Sequence, residues 1–239
     1  MLVCQRMIRN GYFIAKQDEK LQNTYLVADK SQHKKNIFLL GDSRFRHLYH
    51  TIVPQICNNN VAIFKDIITD ETPLLGVEPS AILGFRDEYI RLADDKASAE
   101  KIAKNSFTFE EFLAKELEKG NIDTSLFTSA AKTLKIHGHC HQKALSGTHA
   151  SFQILNIPTN YSVTIINSGC CGMAGSFGYE KEHYKVSMQV GEDTLFPKIR
   201  NTPKETQIVA AGTSCRHQIF DGTKRVAKHA ITVLKEALI

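Results

Sequence analysis

Val163-Thr164-Ile165-Ile166-Asn167-Ser168-Gly169-Cys170-Cys171-Gly172 is a β-prone run broken by Ser and Gly, with two adjacent thiols just past the break. β-Branched residues at this density favour a strand, and the Ser-Gly pair ends it. Two other stretches share the plan: Leu134-Lys135-Ile136-His137-Gly138-His139-Cys140-His141, and Gln207-Ile208-Val209-Ala210-Ala211-Gly212-Thr213-Ser214-Cys215-Arg216-His217. Open α/β sheets place ligands beyond the carboxyl ends of their strands. Residues 134–138, 163–167 and 207–211 are therefore predicted to be parallel strands of one sheet. That arrangement brings Cys140, Cys170, Cys171 and Cys215 into one small volume.

Working outward, further strands are expected at 37–40, 61–64 and 74–78, with a hairpin or short strand near 24–28. Pro79 suits the first position of a helix, where its missing N–H costs nothing, and Ile82, Phe85, Tyr89 and Leu92 follow at helical spacing. Thr108 and Glu111 form a capping-box pattern for a second helix, which Gly120 ends. After the cysteine pair, Phe177, Tyr184, Met188, Leu195 and Ile199 outline a helix starting near Ser176 or Gly178, with Gly191 as a close-packing point and Pro197 as a kink or end. Its N-terminus is expected to face the cysteine loop. A terminal helix turns Ile231, Leu234 and Leu238 inward. The pattern is an α/β fold.

Composition is that of a globular chain: 239 residues, 42% hydrophobic and 23% charged, with no tryptophan. There is no apolar run of 18 residues, so no transmembrane helix is expected, and the basic start is too short and broken for a signal peptide. The net charge of +5 is uneven, with nine Lys/Arg against four Asp/Glu in residues 1–50, seven against eleven in 71–120, and thirteen against eight in 121–239. An acidic middle between basic ends argues against a continuous nucleic-acid footprint. The basic N-terminal arm is read as a solvated tail, with contact to membrane headgroups or a partner left open. Six cysteines without a secretory pattern read as metal-binding or catalytic rather than as a disulfide framework, and point to the cytoplasm.

Soft thiolates select zinc, copper(I) or iron–sulfur clusters. Twenty-nine residues separate Cys140 from Cys170 and 43 separate Cys171 from Cys215, unlike the short knuckles of structural zinc sites. Adjacent cysteines diverge on an extended backbone, which suits different irons of a cluster better than one small ion. Gly169 or Gly172 can supply the positive φ of a tight loop around it. A redox-active vicinal disulfide at Cys170–Cys171, a nucleophilic Cys140 between two histidines, and plain structural cysteine remain alternatives. His137, His139 and His141 alternate along the chain. An imidazole here, or His217, can donate to a cluster sulfide or carry a proton, and Lys143 or Arg216 can hold a substrate carboxylate.

These motifs carry a resemblance. The stretches 137–145, 168–180 and 211–219, with Gly76-Val77-Glu78-Pro79-Ser80, Phe85-Arg86-Asp87-Glu88-Tyr89 and Asn105-Ser106-Phe107, resemble the cysteine-rich CCG domain over roughly residues 74–235. The version they look most like ends the large FAD-linked oxidases of the D-2-hydroxyglutarate and D-lactate dehydrogenase type. Heterodisulfide reductase B, the glycerol-3-phosphate dehydrogenase C subunit and glycolate oxidase iron–sulfur subunits have related domains. The resemblance implies two pseudo-repeated lobes of parallel strands and flanking helices, with cysteines at the C-terminal strand ends. Residues 1–36 would be a weakly patterned basic segment, 37–130 a degenerate first lobe, and 131–239 the second lobe with the site. Ala81 stands where the family has a cysteine, and Gln218 replaces the last thiol of a Cys-x-x-Cys.

The implied ligands are Cys140, Cys170, Cys171 and Cys215 around an iron–sulfur cluster, expected as 4Fe-4S. Zinc is the alternative. His139, His141, His217, Lys143 and Arg216 would surround it, with Gly169 and Gly172 in the cofactor loop. No ferredoxin-type cysteine run and no FAD-binding half are present. A separate small protein, a piece of a longer one or a decayed copy would each account for this. The expectation is an electron-transfer module tied to FAD-linked oxidation of a 2-hydroxy acid, not catalytically complete alone. FAD would sit on a partner or missing domain, beside a ferredoxin-like domain, in the cytoplasm and in reach of the inner membrane face. The alternative is a zinc-binding or metal-free scaffold acting through protein contacts.

Overall fold

The computed structural model describes residues 16–17, 24–28, 35–39, 46–175 and 177–239, with side chains described from residue 53 onward except Ser176. Cys4 and residue 40, the last of the strand expected at 37–40, lie outside the described residues. The chain divides into two compact units, residues 1–52 and 53–239. In the first, β1 (Lys16–Gln17), β2 (Thr24–Ala28) and β3 (Lys35–Leu39) form an antiparallel sheet in that order.

Helix α1 (Arg46–Phe64) contains the boundary between the units and includes residues 61–64, expected as a strand. Cys57, Asn60, Val61 and Phe64 are its buried positions from residue 53 onward, a 3-4 stripe that outweighs the short apolar run. β4 (Leu74–Gly76) and β5 (Ser106–Thr108) then pair in parallel as a small sheet. The helix opened by Pro79 is broken into α2 (Pro79–Ile82), a 3₁₀ turn (Leu83–Arg86) and α3 (Glu88–Leu92). α4 (Lys96–Lys104) follows. α5 (Phe109–Glu118) has the expected capping box, with Thr108 and Glu111 exchanging both hydrogen bonds. It closes with Gly120 at φ +75° and amides of Gly120 and Asn121 returning to Leu117 and Glu116.

The main sheet holds the three expected strands, all parallel, and one more. β6 (Lys132–His137) lies between β7 (Tyr161–Ile165) and β8 (Gln207–Ala210), with β9 (Ala227–Lys228) beyond β8. Ile136 pairs with Ile165 and His137 with Ala210, so the three carboxyl ends lie level. Because β7 and β8 flank β6 on opposite sides, the chain reverses its direction of travel across the sheet beside β6, which opens a crevice there. Alternate residues feed two cores. Leu134, Ile136, Val163 and Val209 pack against α7 (His149–Leu155) and α10 (Ala230–Ala237), while Ile208 and Ala210 pack against α8 (Tyr184–Arg200) and α9 (Thr213–Thr223). α6 (Cys140–Leu145) starts three residues past β6.

Two helix expectations are corrected. Beyond Ser176, which is not described, comes only a 3₁₀ turn (Phe177–Tyr179), and α8 begins at Tyr184. Its inward face is Ser187, Gly191, Leu195, Phe196 and Ile199, while Tyr184 is exposed. Small residues stand at its start because the cysteine loop presses against it. Gly191 is the expected close-packing point, and a Cβ there would collide with Phe196. In α10 the inward face is Ala230, Val233, Leu234 and Ala237, and Leu238 is exposed. Among the described residues no helix is long and apolar enough to cross a membrane.

Candidate metal centre

The four expected cysteines meet beyond the level ends of β6, β7 and β8, and none forms a disulfide. Their side chains make one run of interacting neighbours, Cys140 beside Cys170, Cys170 beside Cys171 and Cys171 beside Cys215. Cys140 is exposed at one end, while Cys171 and Cys215 are buried at the other. The loop that presents the middle pair turns through positive φ at Gly172 (+98°), Ala174 (+41°) and Gly175 (+70°). Gly172 supplies the left-handed turn and Gly169 does not. A Cβ on Gly172 would also collide with the Ser187 carbonyl of α8. The Gly172 amide donates to the Cys170 sulfur at 3.2 Å.

Neighbouring thiols along the run differ in proton affinity. Cys170 is driven well below the ordinary thiol range by its neighbour Cys140 first, then by Cys171, with the Gly172 amide adding to this. Cys215 is pulled down to about 5 by the Cys171 hydrogen bond, against the opposing effect of burial, with help from His137 and the nearby His139. Cys140 and Cys171 are pushed up, Cys140 by the neighbouring Cys170 and Cys171 by Cys170 and Cys215, and burial adds to this. Thiolate character in a water-poor pocket is what a soft metal or cluster requires.

The surrounding residues divide. Lys143 donates to the carbonyls of Ser168 (3.0 Å) and Gly169 (3.3 Å), which fixes the approach to the cysteine pair. The Gly169 amide donates to Thr194 Oγ1 at 3.0 Å. His139 caps α6, accepting from the His141 amide, and its ring lies over Gly212 beside Cys215. His141 turns to a different group, within 4.8 Å of Asp87 and Glu88 carboxylate oxygens. His217 is exposed and shares a 2.8 Å hydrogen bond with the Tyr179 hydroxyl. Arg216 spends its guanidinium on the carbonyls of Ala210 (2.9 Å) and Ala211 (2.5 Å) and on Thr213 Oγ1 (3.0 Å), so it braces the end of β8.

His137 is the residue that the expected site left out. It is 1% exposed, its Nδ1 lies 3.0 Å from Ser168 Oγ, and its Nε2 has no hydrogen-bond partner. A ring nitrogen of His137 and the sulfurs of Cys171 and Cys215 all lie within 4.8 Å of one another. Strand parity carried the signal. Leu134 and Ile136 point to one core, so His137 points to the other, where Cys171 and Cys215 sit. Glu78 was also not anticipated; its Oε2 accepts from the Thr213 amide at 2.8 Å and holds the start of α9 from the small sheet's side.

No protein-family model matches the chain, and no solved structure matches it. It is similar to D-2-hydroxyglutarate dehydrogenase of Escherichia coli, 27% identical over 168 residues, which is 70% of this chain and 16% of that protein. The enzyme of the same name from Pantoea ananatis is 25% identical over 167 residues with the same coverage. The C subunit of the anaerobic glycerol-3-phosphate dehydrogenase of Escherichia coli is 28% identical over 191 residues, covering 77% of this chain and 45% of that protein. The chain thus spans less than half the length of these relatives, and each of them is a dehydrogenase or part of one.

Proposed function

We propose that this chain is an electron-transfer module of a flavin-dependent oxidoreductase, with Cys140, Cys170, Cys171 and Cys215 holding one iron–sulfur cluster of the 4Fe-4S type. The observation that carries the reading is the unbroken run of four thiols gathered from three parallel strand ends. The donor set fits: all four are soft, and the adjacent pair runs directly into the left-handed turn at Gly172 and lies outside any strand. Such a cluster, when bound, supplies one-electron acceptance and release at a potential set by charge, exposure and hydrogen bonds.

The chain's own residues do the rest. Gly172 lets the loop lie against α8 and gives an amide to sulfur, while Lys143 and Thr194 hold the loop's entry. Cys215 lies in the first turn of α9, where free amides and the helix dipole favour negative charge. Exposed Cys140 marks the side open to a partner. In this reading residues 131–239 are the site-bearing lobe, and the preceding lobe is scaffold. The relatives support a partner or attached domain that carries FAD and oxidises a 2-hydroxy acid or a related alcohol. Free thiols of this kind fit a reducing compartment such as the cytoplasm.

The close grouping of His137, Cys171 and Cys215 supports a second reading, a single tetrahedral ion such as zinc. Anaerobic reconstitution followed by iron, acid-labile sulfide and zinc analysis separates the two. About four irons and four sulfides per chain are expected. Stoichiometric zinc without sulfide would replace the cluster with the single ion.

A further inference from the structure

We propose that His137 is the cluster's buried N–H donor, and that by donating from Nε2 to the sulfur of Cys171 or Cys215 it raises the reduction potential of the centre. The proposal rests on the cluster reading above. Three observations on this chain lead to it. His137 is almost fully buried at the last position of the central strand, so its direction is fixed by the sheet. Ser168 Oγ, 3.0 Å from Nδ1, holds the ring from the far side. Nε2 has no hydrogen-bond partner, and the nearest soft acceptors are the sulfurs of Cys171 and Cys215, grouped with the imidazole within 4.8 Å.

An unpaired buried nitrogen is costly, so its partner is to be sought among the sulfurs grouped beside it. Four thiolates on a cluster already satisfy four irons, which leaves the imidazole a donor role. Negative charge at the sulfurs selects the tautomer. The serine hydroxyl, able to donate or accept, donates to Nδ1, and the ring proton stays on Nε2 facing sulfur. Reduction by one electron adds negative charge to the centre, so an N–H aimed at it stabilises the reduced form more than the oxidised one. Cys140 and Cys170 lie toward solvent, and the donor is therefore placed at the dry end, where a hydrogen bond is strongest.

The test uses the full chain reconstituted with iron and sulfide, reduced by dithionite in a redox titration followed by electron paramagnetic resonance. With isotope-labelled histidine, hyperfine spectra of the wild-type protein are expected to show weak coupling to one histidine nitrogen. His137→Leu is expected to abolish that coupling and shift the midpoint potential negative with iron and sulfide content retained. His137→Gln, which keeps a side-chain N–H, is expected to recover part of the shift. Absence of histidine coupling in the wild type, a strong coupling typical of direct iron–nitrogen bonding, or an unchanged potential in a loaded His137→Leu protein would each overturn the donor role. If the leucine variant fails to fold, the wild-type spectra still decide. A wild-type chain that takes up no iron and sulfide would refute the cluster itself, a result distinct from a loaded centre without the histidine signal.

Discussion

At the scale of single residues, two glycines flank the cysteine pair and only one is indispensable. Gly172 adopts φ +98°, and any side chain would strike the Ser187 carbonyl, whereas a Cβ on Gly169 would meet Thr194 Oγ1 at an ordinary 3.5 Å. Gly172→Ala should therefore destabilise the protein by about 2 kcal/mol or more and lower the metal taken up on reconstitution, since backbone strain and a steric clash add. Gly169→Ala should stay within about 1 kcal/mol of wild type, because its amide bond to Thr194 survives. Urea unfolding of both variants, with metal content measured alongside, checks the contrast. Equal losses in the two would mean that the loop is not positioned by Gly172. From the sequence, Gly172 was visible only as one of two candidates, because φ depends on how the loop meets α8, and that contact comes from residues far along the chain.

At the scale of elements, α5 was readable almost to the residue. Thr108, Glu111 and Gly120 are local signals, and each forms the bond its position anticipates. Elements defined by apolar spacing alone fared less well: residues 61–64 became the end of α1, and α10 turned its face by one position. Spacing records which residues avoid water but not which neighbour arrives, and a short apolar run serves a helix or a strand equally. A tertiary feature of α5 was hidden for the same reason. Glu110 is 1% exposed, with its Oε1 unbonded and 3.8 Å from Nε2 of His229, the cap of α10. His229 is kept neutral by burial and gives its Nε2 proton to the Val77 carbonyl. Burial pushes the Glu110 carboxyl up to about 7, and the nearby Glu111 and Glu78 add to this. A raised folded-state value means that Glu110 favours folding fully below the unfolded value near 4.5, and that this contribution fades as pH rises through about 7. The loss is on the order of 3 kcal/mol. Unfolding free energies from pH 5 to 8 should fall more steeply for wild type than for Glu110→Gln. Parallel curves would show that Glu110 ionises without penalty.

At the scale of the whole molecule, the parallel sheet and the meeting of four thiols were both legible, since each strand is marked by its own β-branched run and each thiol follows a strand end. The sheet's fourth strand, Ala227–Lys228, was not, because two residues carry no pattern of their own. His137 was missed as part of the site because strand parity singles it out only once the strand is known to end at 137, leaving His139 and His141 beyond the sheet. The site also has a mechanical consequence. Cys140, Cys170 with Cys171, and Cys215 lie on three loops that begin at β6, β7 and β8, with α6 starting at Cys140 and Cys215 in the first turn of α9. A group bound to all four thiols ties those loops together in the native state and has no such site in the unfolded chain. Binding must then add to stability in proportion to the logarithm of one plus the ratio of free ligand to its Kd. The reconstituted protein should accordingly melt above the metal-free protein, by several degrees for each kilocalorie gained in a chain of this size. Cys171→Ser removes the sulfur between Cys170 and Cys215 and should erase most of that rise; its metal-free form melts lower too, because a hydroxyl replaces a buried thiol, so each loaded protein is compared with its own metal-free form. Differential scanning calorimetry under anaerobic conditions reads all four melting points. A rise that survives Cys171→Ser would mean that the group binds elsewhere, and no rise in the wild type would favour a scaffold that has kept its thiols without a cofactor.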